Sequence, residues 1–179
     1  FVSWSEEGPI LSEGVYEDGE MVKTILRYEN GNKKLEQEMK GGKPHGKVIQ
    51  FFENGQKSSE TDMIDGVPDG KVTSWYDNGQ IKAQTHQKGG LMHGTTYLWF
   101  ENGQKSLESD YREGKPYGDY ILWYDCENTM ACENCSYECA GRTQKAVVGY
   151  YREDFTSSHE LWTCWNSNGE EMQCPGWWG

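Results

Sequence analysis

Six cysteines are the residues of this chain whose type and spacing could do chemistry most directly. Four of them follow the pattern C-x5-C-x2-C-x3-C, at Cys126, Cys132, Cys135 and Cys139. Two more, Cys164 and Cys174, flank a short polar stretch near the C-terminus. A cluster of four cysteines that includes one C-x2-C pair could coordinate zinc or hold an iron–sulfur cluster in a reducing compartment.

Structural disulfides are the interpretation that the sequence favours over a metal site. The cysteine count is even, and the chain opens with Phe1 where an initiator methionine would stand, which is consistent with a removed signal peptide. We therefore predict a disulfide-stapled protein exported to the periplasm, the cell surface or the extracellular space. The one pairing predicted is Cys164 with Cys174, because a hairpin at residues 166–169 would bring its flanks together.

The remaining polar residues predict no catalytic site. His45 and His93 occupy equivalent turn positions, where the other repeats carry Asp69 and Tyr117. That variation is typical of an exposed turn, and no nucleophile stands beside a recognisable base. The acidic turns also lack the dense carboxylate spacing of a calcium loop. We therefore expect a non-enzymatic protein with no cofactor and no bound metal.

Aromatic rings recur every 24 residues and are the best candidates for a binding surface. One row is Tyr28, Phe52, Tyr76, Phe100 and Tyr124, and a second is Phe51, Trp75, Trp99 and Trp123. Rings in a row can form a recognition surface for a protein, or for sugars that stack on them. The alternative is that the second row completes a thin core. We expect one row to lie in or near the core and the other to be at least partly exposed.

The elements that position these rings share the same period. An Asn-Gly pair recurs at Asn30, Asn54, Asn78 and Asn102, and a second, Gly-rich turn follows each one. β-branched and aromatic residues before each Asn-Gly predict a strand, and Asn-Gly predicts a type I′ hairpin turn. The expected fold is all-β, an elongated antiparallel meander of tandem β-hairpins.

Alternation along the return strands predicts two different faces. Leu35, Gln37 and Met39 would share one face with their equivalents in later repeats, whereas Lys34, Glu36 and Glu38 would point to the other. Because successive strand residues point to opposite sides, one face should be small or moderately apolar and the other charged and wet.

The repeated pattern G-x-x-x-x-[FW]-[FY]-[ED]-N-G-Q resembles the MORN-repeat-variant family, whose bacterial members include YwqK-type antitoxins. The resemblance covers about residues 14–125, with a degenerate copy around residues 162–169. It implies stacked hairpins in one twisted sheet and a role in protein contact or scaffolding. An antitoxin role would mean the neutralisation of a partner protein.

Composition narrows the range of partners. Composition also bears on the core: hydrophobic residues make up only 35% of the chain and glycines number 22, which favours a thin sheet with many turns over a thick core. The net charge of −12 repels nucleic acid. It is typical of a solvated acidic surface, and it could also attract a basic protein partner. No apolar run reaches the roughly 20 residues that a membrane-spanning helix needs.

The predicted organisation has three parts: an N-terminal cap over residues 1–13, hairpin repeats over 14–125, and a cysteine-rich insertion, last degenerate repeat and cap over 126–179. The cap would cover a sheet edge that otherwise invites pairing with another chain. The leading function is an exported module that binds or scaffolds another protein through one face of its sheet. The alternatives are glycan binding through the aromatic row, self-association through the sheet ends into a fibre or layer, and antitoxin-like neutralisation.

Overall fold

The computed structural model describes residues 2–4, 10–124, 144–151, 163–165 and 171–172. These residues form strands and turns and include no helix long and apolar enough to cross a membrane. The chain divides into two compact units, Phe1–Met92 and His93–Gly179, called here the N-terminal unit and the C-terminal unit. Both are all-β, and in each the consecutive strands form the predicted antiparallel meander.

In the N-terminal unit each strand pairs antiparallel with the next one along the chain. Strands β1 to β9 span Val2–Trp4, Ile10–Glu17, Glu20–Arg27, Lys33–Lys40, Lys43–Phe51, Lys57–Ile64, Val67–Trp75, Ile81–Lys88 and Leu91–Met92. The same connection rule holds in the C-terminal unit, where β10 to β15 span Gly94–Trp99, Lys105–Arg112, Lys115–Tyr124, Gln144–Tyr151, Thr163–Trp165 and Glu171–Met172.

The predicted type I′ turn lies at the second turn of each repeat and not at Asn-Gly. Asp65 and Gly66 both have positive φ, at 50° and 87°, and connect β6 directly to β7. Asn54 has no positive φ, and Gly55 donates its N–H to the carbonyl oxygen of Phe52 at 2.9 Å. The type I′ assignment of Asn-Gly is therefore wrong, because here Asn-Gly ends a wider loop in which glycine alone has positive φ.

The Asn-Gly loops are linked to one another along the sheet. The amide Nδ2 of Asn30 donates to the carbonyl oxygen of Glu53 at 2.9 Å, and Asn54 bonds Asp77 in the same way at 3.2 Å. The hydroxyl of Tyr28 also donates to the carbonyl oxygen of Phe51 at 2.8 Å. Side chains of one repeat thus satisfy backbone acceptors of the next, which fixes the spacing between repeats.

The second glycine series marks a bulge within the outgoing strands. Gly70 has a φ of 126°, and the pairing of β6 with β7 shifts between Thr61 and Met63. A Cβ added at Gly70 would lie 2.9 Å from the Cβ of Asp62, whose carboxylate accepts the N–H of Lys71 at 3.2 Å. Glycine is required here because the acidic side chain occupies the space a larger residue would need.

Burial confirms that the sheet is thin. Among the residues whose side chains are described, only Ser109 is less than 2% exposed, and no large apolar side chain is fully buried. Register confirms the two predicted faces, since Leu35, Gln50, Ser59, Ser74 and Ala83 pair in one row. We call the side of the sheet that carries this row the small-residue face. Most side chains on both faces remain partly accessible to water.

Replacing Gly70 by alanine should destabilise the protein through two effects. A left-handed backbone costs a non-glycine residue about 1–2 kcal/mol, and the contact with Asp62 adds to that cost. Gly89→Ala is the control in the same unit, because Gly89 also has positive φ but has open space around a Cβ. Urea unfolding should show a larger loss for Gly70→Ala; equal losses would mean that the Asp62 contact has no effect.

Candidate binding face

The opposite side of the N-terminal sheet, called here the charged face, carries the residues best suited to recognition. Its central row pairs Ile25, Glu36, Ile49, Glu60, Thr73 and Gln84 across β3 to β8. Lysines of the outgoing strands lie on the same face, because Lys47 is directly opposite Asp62 and two residues before Ile49. The face therefore alternates apolar, acidic and basic side chains from strand to strand.

Each glutamate in the central row of β4 and β6 is held between two lysines. Lys23 lies 2.8 Å and Lys33 2.6 Å from the carboxylate of Glu36. In the next repeat Lys47 and Lys57 bond the carboxylate of Glu60 in the same way. The geometry repeats because the sequence places Lys at the start of the return strand and Glu three residues later.

These ion pairs shift the protonation equilibria of both partners. Hydrogen bonds from Lys23 and Lys33 lower the pKa of Glu36 below its ordinary value of 4.5, and those from Lys47 and Lys57 lower the pKa of Glu60. The hydrogen bonds to Glu36 and Glu60 raise the pKa values of Lys23 and Lys47 above 10.5. All four groups are therefore charged at neutral pH.

The predicted binding rings Phe51 and Trp75 lie on this face beneath the lysines. The ammonium nitrogen of Lys33 is 6.0 Å from the ring centroid of Phe51, and that of Lys57 is 5.9 Å from Trp75. Cations at this distance are attracted to the ring face. Each lysine thus bonds a glutamate and covers an aromatic ring at the same time.

The C-terminal unit repeats this arrangement at Trp123, one of the other two predicted rings. Lys105 bonds the carboxylate of Glu108 at 2.8 Å and lies 5.7 Å from the ring centroid of Trp123. The same ammonium is 4.7 Å from the ring of Tyr97, which packs against Trp99 with centroids 5.9 Å apart. Lys105 thus lies over both Tyr97 and Trp123, and Tyr97 in turn packs against Trp99.

Neither aromatic row is buried or exposed as a whole. Phe51, Trp75, Trp99 and Trp123 are all half-buried, and so are Tyr28, Phe52, Tyr76 and Phe100 of the other row. The expected division into a core row and a more exposed row is therefore not found. The physical reason is that a one-layer sheet offers no interior, so rings on either side are shielded only by neighbouring side chains.

A shallow open depression of about 160 Å³ interrupts the charged face beside Trp75. Thr73, which is 6% exposed, occupies the row position that Ile49 fills one repeat earlier. Ile81, opposite Trp75, replaces the lysine of the other repeats. The lining consists of Lys47, Glu60, Asp62, Lys71, Thr73, Trp75, Ile81 and Gln84.

Sequence reasoning missed a second surface, at the edge formed by the tight second turns. The exposed large hydrophobic side chains of the described region all lie beside these turns, at Val15, Tyr16, Ile64, Val67 and Leu91. The available signal was a departure from the repeat, because Ile64 and Val67 stand where the preceding repeat has Lys40 and Lys43. The opposite edge carries exposed acids, including Glu53 and Asp77.

The predicted cysteine chemistry lies outside the described residues. Cys126, Cys132, Cys135, Cys139 and Cys174 are not among them, and only the backbone of Cys164 is placed, in β14. The backbone pairing of β14 with β15 confirms the predicted hairpin that follows Cys164. The pairing of Cys164 with Cys174, and disulfide formation in general, stay predictions.

His45 lies near the start of β5, beside the second turn of its repeat. Its Nδ1 lies 3.2 Å from the carboxylate of Asp65 in the next turn, and both side chains are accessible to water. Within the described ranges no three His, Cys, Asp or Glu side chains are grouped closely enough to hold a metal ion.

Consecutive hairpins of constant length and matching contacts define a tandem-repeat β protein. The family model of the MORN repeat variant matches two adjacent segments, residues 44–65 and 68–88, which correspond to β5–β6 and β7–β8. The chain thus contains repeats of the MORN variant type, as the motif predicted. The narrower YwqK-type relationship stays a prediction. A search of curated protein sequences gives no significant match.

The ion pairs on the charged face predict an acid-dependent loss of stability. Because the folded-state pKa values of Glu36 and Glu60 are lowered, their contribution is complete above the unfolded-state value near 4.5 and is lost as pH falls through the folded values. Partly exposed pairs contribute about 0.2–1 kcal/mol each. A Glu36→Gln, Glu60→Gln double variant should therefore be less stable than the parent near neutral pH, and the difference should shrink in acid.

Chemical unfolding between about pH 7 and pH 3 measures this difference. The matched control is Glu53→Gln, since Glu53 is an exposed acid in an Asn-Gly loop and makes no ion pair in the described region. A difference between parent and double variant that is unchanged across this pH range would contradict the assignment.

Proposed function

We propose that this protein is an exported, non-enzymatic repeat module that binds or scaffolds another protein through its charged face. MORN repeats are commonly binding modules for proteins or membranes. The observation that carries the proposal is that lysines cover two half-buried rings of the charged face, Phe51 and Trp75. Such a face offers apolar area, cations and carboxylates in one fixed pattern.

A protein partner suits this face better than a sugar. Sugars stack on an open ring face, whereas an ammonium group lies over Phe51 and over Trp75. Charged side chains of a partner protein can replace one member of each Lys–Glu pair, and the surface of the partner can bury the rings at the same time. The net charge of −12 would attract a basic partner at long range, while the local pairs would set its register.

Removal of the Trp75 ring should weaken partner binding strongly. Buried tryptophans are frequent hot spots, so Trp75→Ala should reduce affinity by at least about tenfold, corresponding to roughly 1.4 kcal/mol or more. Trp75→Phe, which copies the ring at Phe51, should retain part of the affinity. Gln50→Ala changes an exposed residue of the small-residue face and should leave binding unchanged.

The measurement is quantitative capture of proteins by the immobilised full chain from the extracellular or cell-surface fraction of its source. Partners retained by the parent and lost with Trp75→Ala support the proposal, provided that binding weakens with salt. Competition by soluble oligosaccharide would instead favour the glycan alternative. Equal capture by the parent and Trp75→Ala would overturn the proposed use of this face.

Export rests on the cysteines and has its own test. The intact mass of the natively produced protein, compared before and after reduction and alkylation, counts the cysteines that are oxidised. In an exported protein, Cys164 and Cys174 should be alkylated only after reduction. Reduction itself should add about two mass units for each disulfide bridge. Free thiols that carry zinc or iron would contradict export and would assign Cys126, Cys132, Cys135 and Cys139 to a metal site.

A further inference from the structure

The repeated Lys–Glu motif of the return strands is absent from one repeat, where both of its residues are replaced. The pairs Lys33–Glu36, Lys57–Glu60 and Lys105–Glu108 occupy equivalent positions. In the remaining repeat both members are neutral, at Ile81 and Gln84. The double change keeps the net charge of the repeat, but it alters the surroundings of the preceding lysine.

Lys71 loses its carboxylate partner as a result. Its equivalents Lys23 and Lys47 bond Glu36 and Glu60, which lie thirteen residues further along the chain. For Lys71 the residue at that spacing is Gln84, and its cross-strand partner is His86. Lys71 is exposed and makes no ion pair in the part of the chain that the structure describes.

The two acids that line the depression together with Lys71 are already paired with other lysines. Glu60 is bonded by Lys57 at 2.6 Å and also by Lys47, and Asp62 accepts from Lys47 at 3.2 Å. The carboxylate of Asp62 also accepts the backbone N–H of Lys71, which leaves the Lys71 ammonium uncompensated. The local excess is one positive charge on a protein whose total charge is −12.

Lys71 is one of the residues that line the depression beside Trp75. Thr73, which is nearly buried, also lines the depression, and Trp75 and Ile81 contribute apolar side chains to it. The side-chain amide of Gln84 adds a hydrogen-bond donor. The depression therefore combines one free cation, one amide and a short apolar wall, in a volume of about 160 Å³ that suits a single side chain.

We propose that the depression binds a glutamate side chain of the partner protein, with its carboxylate on Lys71 and Gln84 and its methylene groups against Trp75 and Ile81. The incoming carboxylate supplies the negative charge that Glu36 and Glu60 supply to the equivalent lysines, and it binds beside Gln84. A monoanion matches the single free charge, whereas a dianion such as phosphate would leave one negative charge uncompensated. The site rests on the proposed function, since the partner is a protein that contacts the charged face.

The probe is the peptide acetyl-Ala-Glu-Leu-amide, with acetyl-Ala-Gln-Leu-amide as its neutral match. Both are titrated into the isotope-labelled full chain and followed by amide and indole NMR signals, which detect millimolar affinities. The glutamate peptide should produce saturable shifts at the Trp75 indole and the Gln84 side-chain amide. The glutamine peptide should bind at least about tenfold more weakly.

Two variants test the site itself. Gln84→Glu supplies the missing carboxylate internally and reproduces the pairing of Lys47 with Glu60, so it should fold normally and weaken peptide binding at least about tenfold. Lys71→Gln should have the same effect, and Lys71→Arg should retain binding. Lys23→Gln is the matched control, because the equivalent lysine already has its glutamate, and it should leave binding unchanged.

Three results would overturn the glutamate site: no saturable shift, equal binding of the two peptides, or equal losses for Lys71→Gln and Lys23→Gln. Partner capture separates this failure from that of the proposed function. If capture depends on Trp75 but is unchanged in Gln84→Glu, only the proposed glutamate site is contradicted. If capture is independent of Trp75, the proposed use of the charged face is contradicted as well.

Discussion

The Lys–Glu pairs above the aromatic rings are the interaction on which the charged face depends. A one-layer sheet has no second layer to cover its rings, so the side chains of the same face must do so. Lys57 bonds Glu60 and lies over Trp75, and Lys33 does the same with Glu36 and Phe51. Each pair is weak alone, but its regular repetition keeps large rings half-buried on a thin protein.

The period of 24 residues was sufficient to predict the strands, their antiparallel order and the residues that share a face. Those features depend on the alternation of residue types along each strand and on the spacing of the turns, and both can be read directly from a sequence. The turn type could not be obtained in the same way. Asn-Gly suits a two-residue turn, but here the loop is closed by the bond from Gly55 to Phe52 and by the contact of Asn54 with the next repeat.

The candidate site was predictable only in part, because its character comes from departures from the repeat. Phe51 and Trp75 follow from the period, whereas the lysines that cover them and the depression beside Trp75 require the register of neighbouring strands. The substitution of Ile81 and Gln84 for Lys and Glu becomes informative only once Lys71 is seen to face them. The apolar edge at Ile64 and Val67 is a departure of the same kind.

The Asn-Gly loops also bear on how the protein ages chemically. In a flexible chain asparagine before glycine deamidates readily, because the glycine nitrogen attacks the side-chain amide to form a cyclic imide. In this loop the nitrogen of Gly55 donates to Phe52, while the amide of Asn54 is held at both ends by Gln56 and Asp77. Folding therefore restrains both reacting groups. The Asn-Gly pairs of the folded repeats should deamidate more slowly than the same pairs in the unfolded chain.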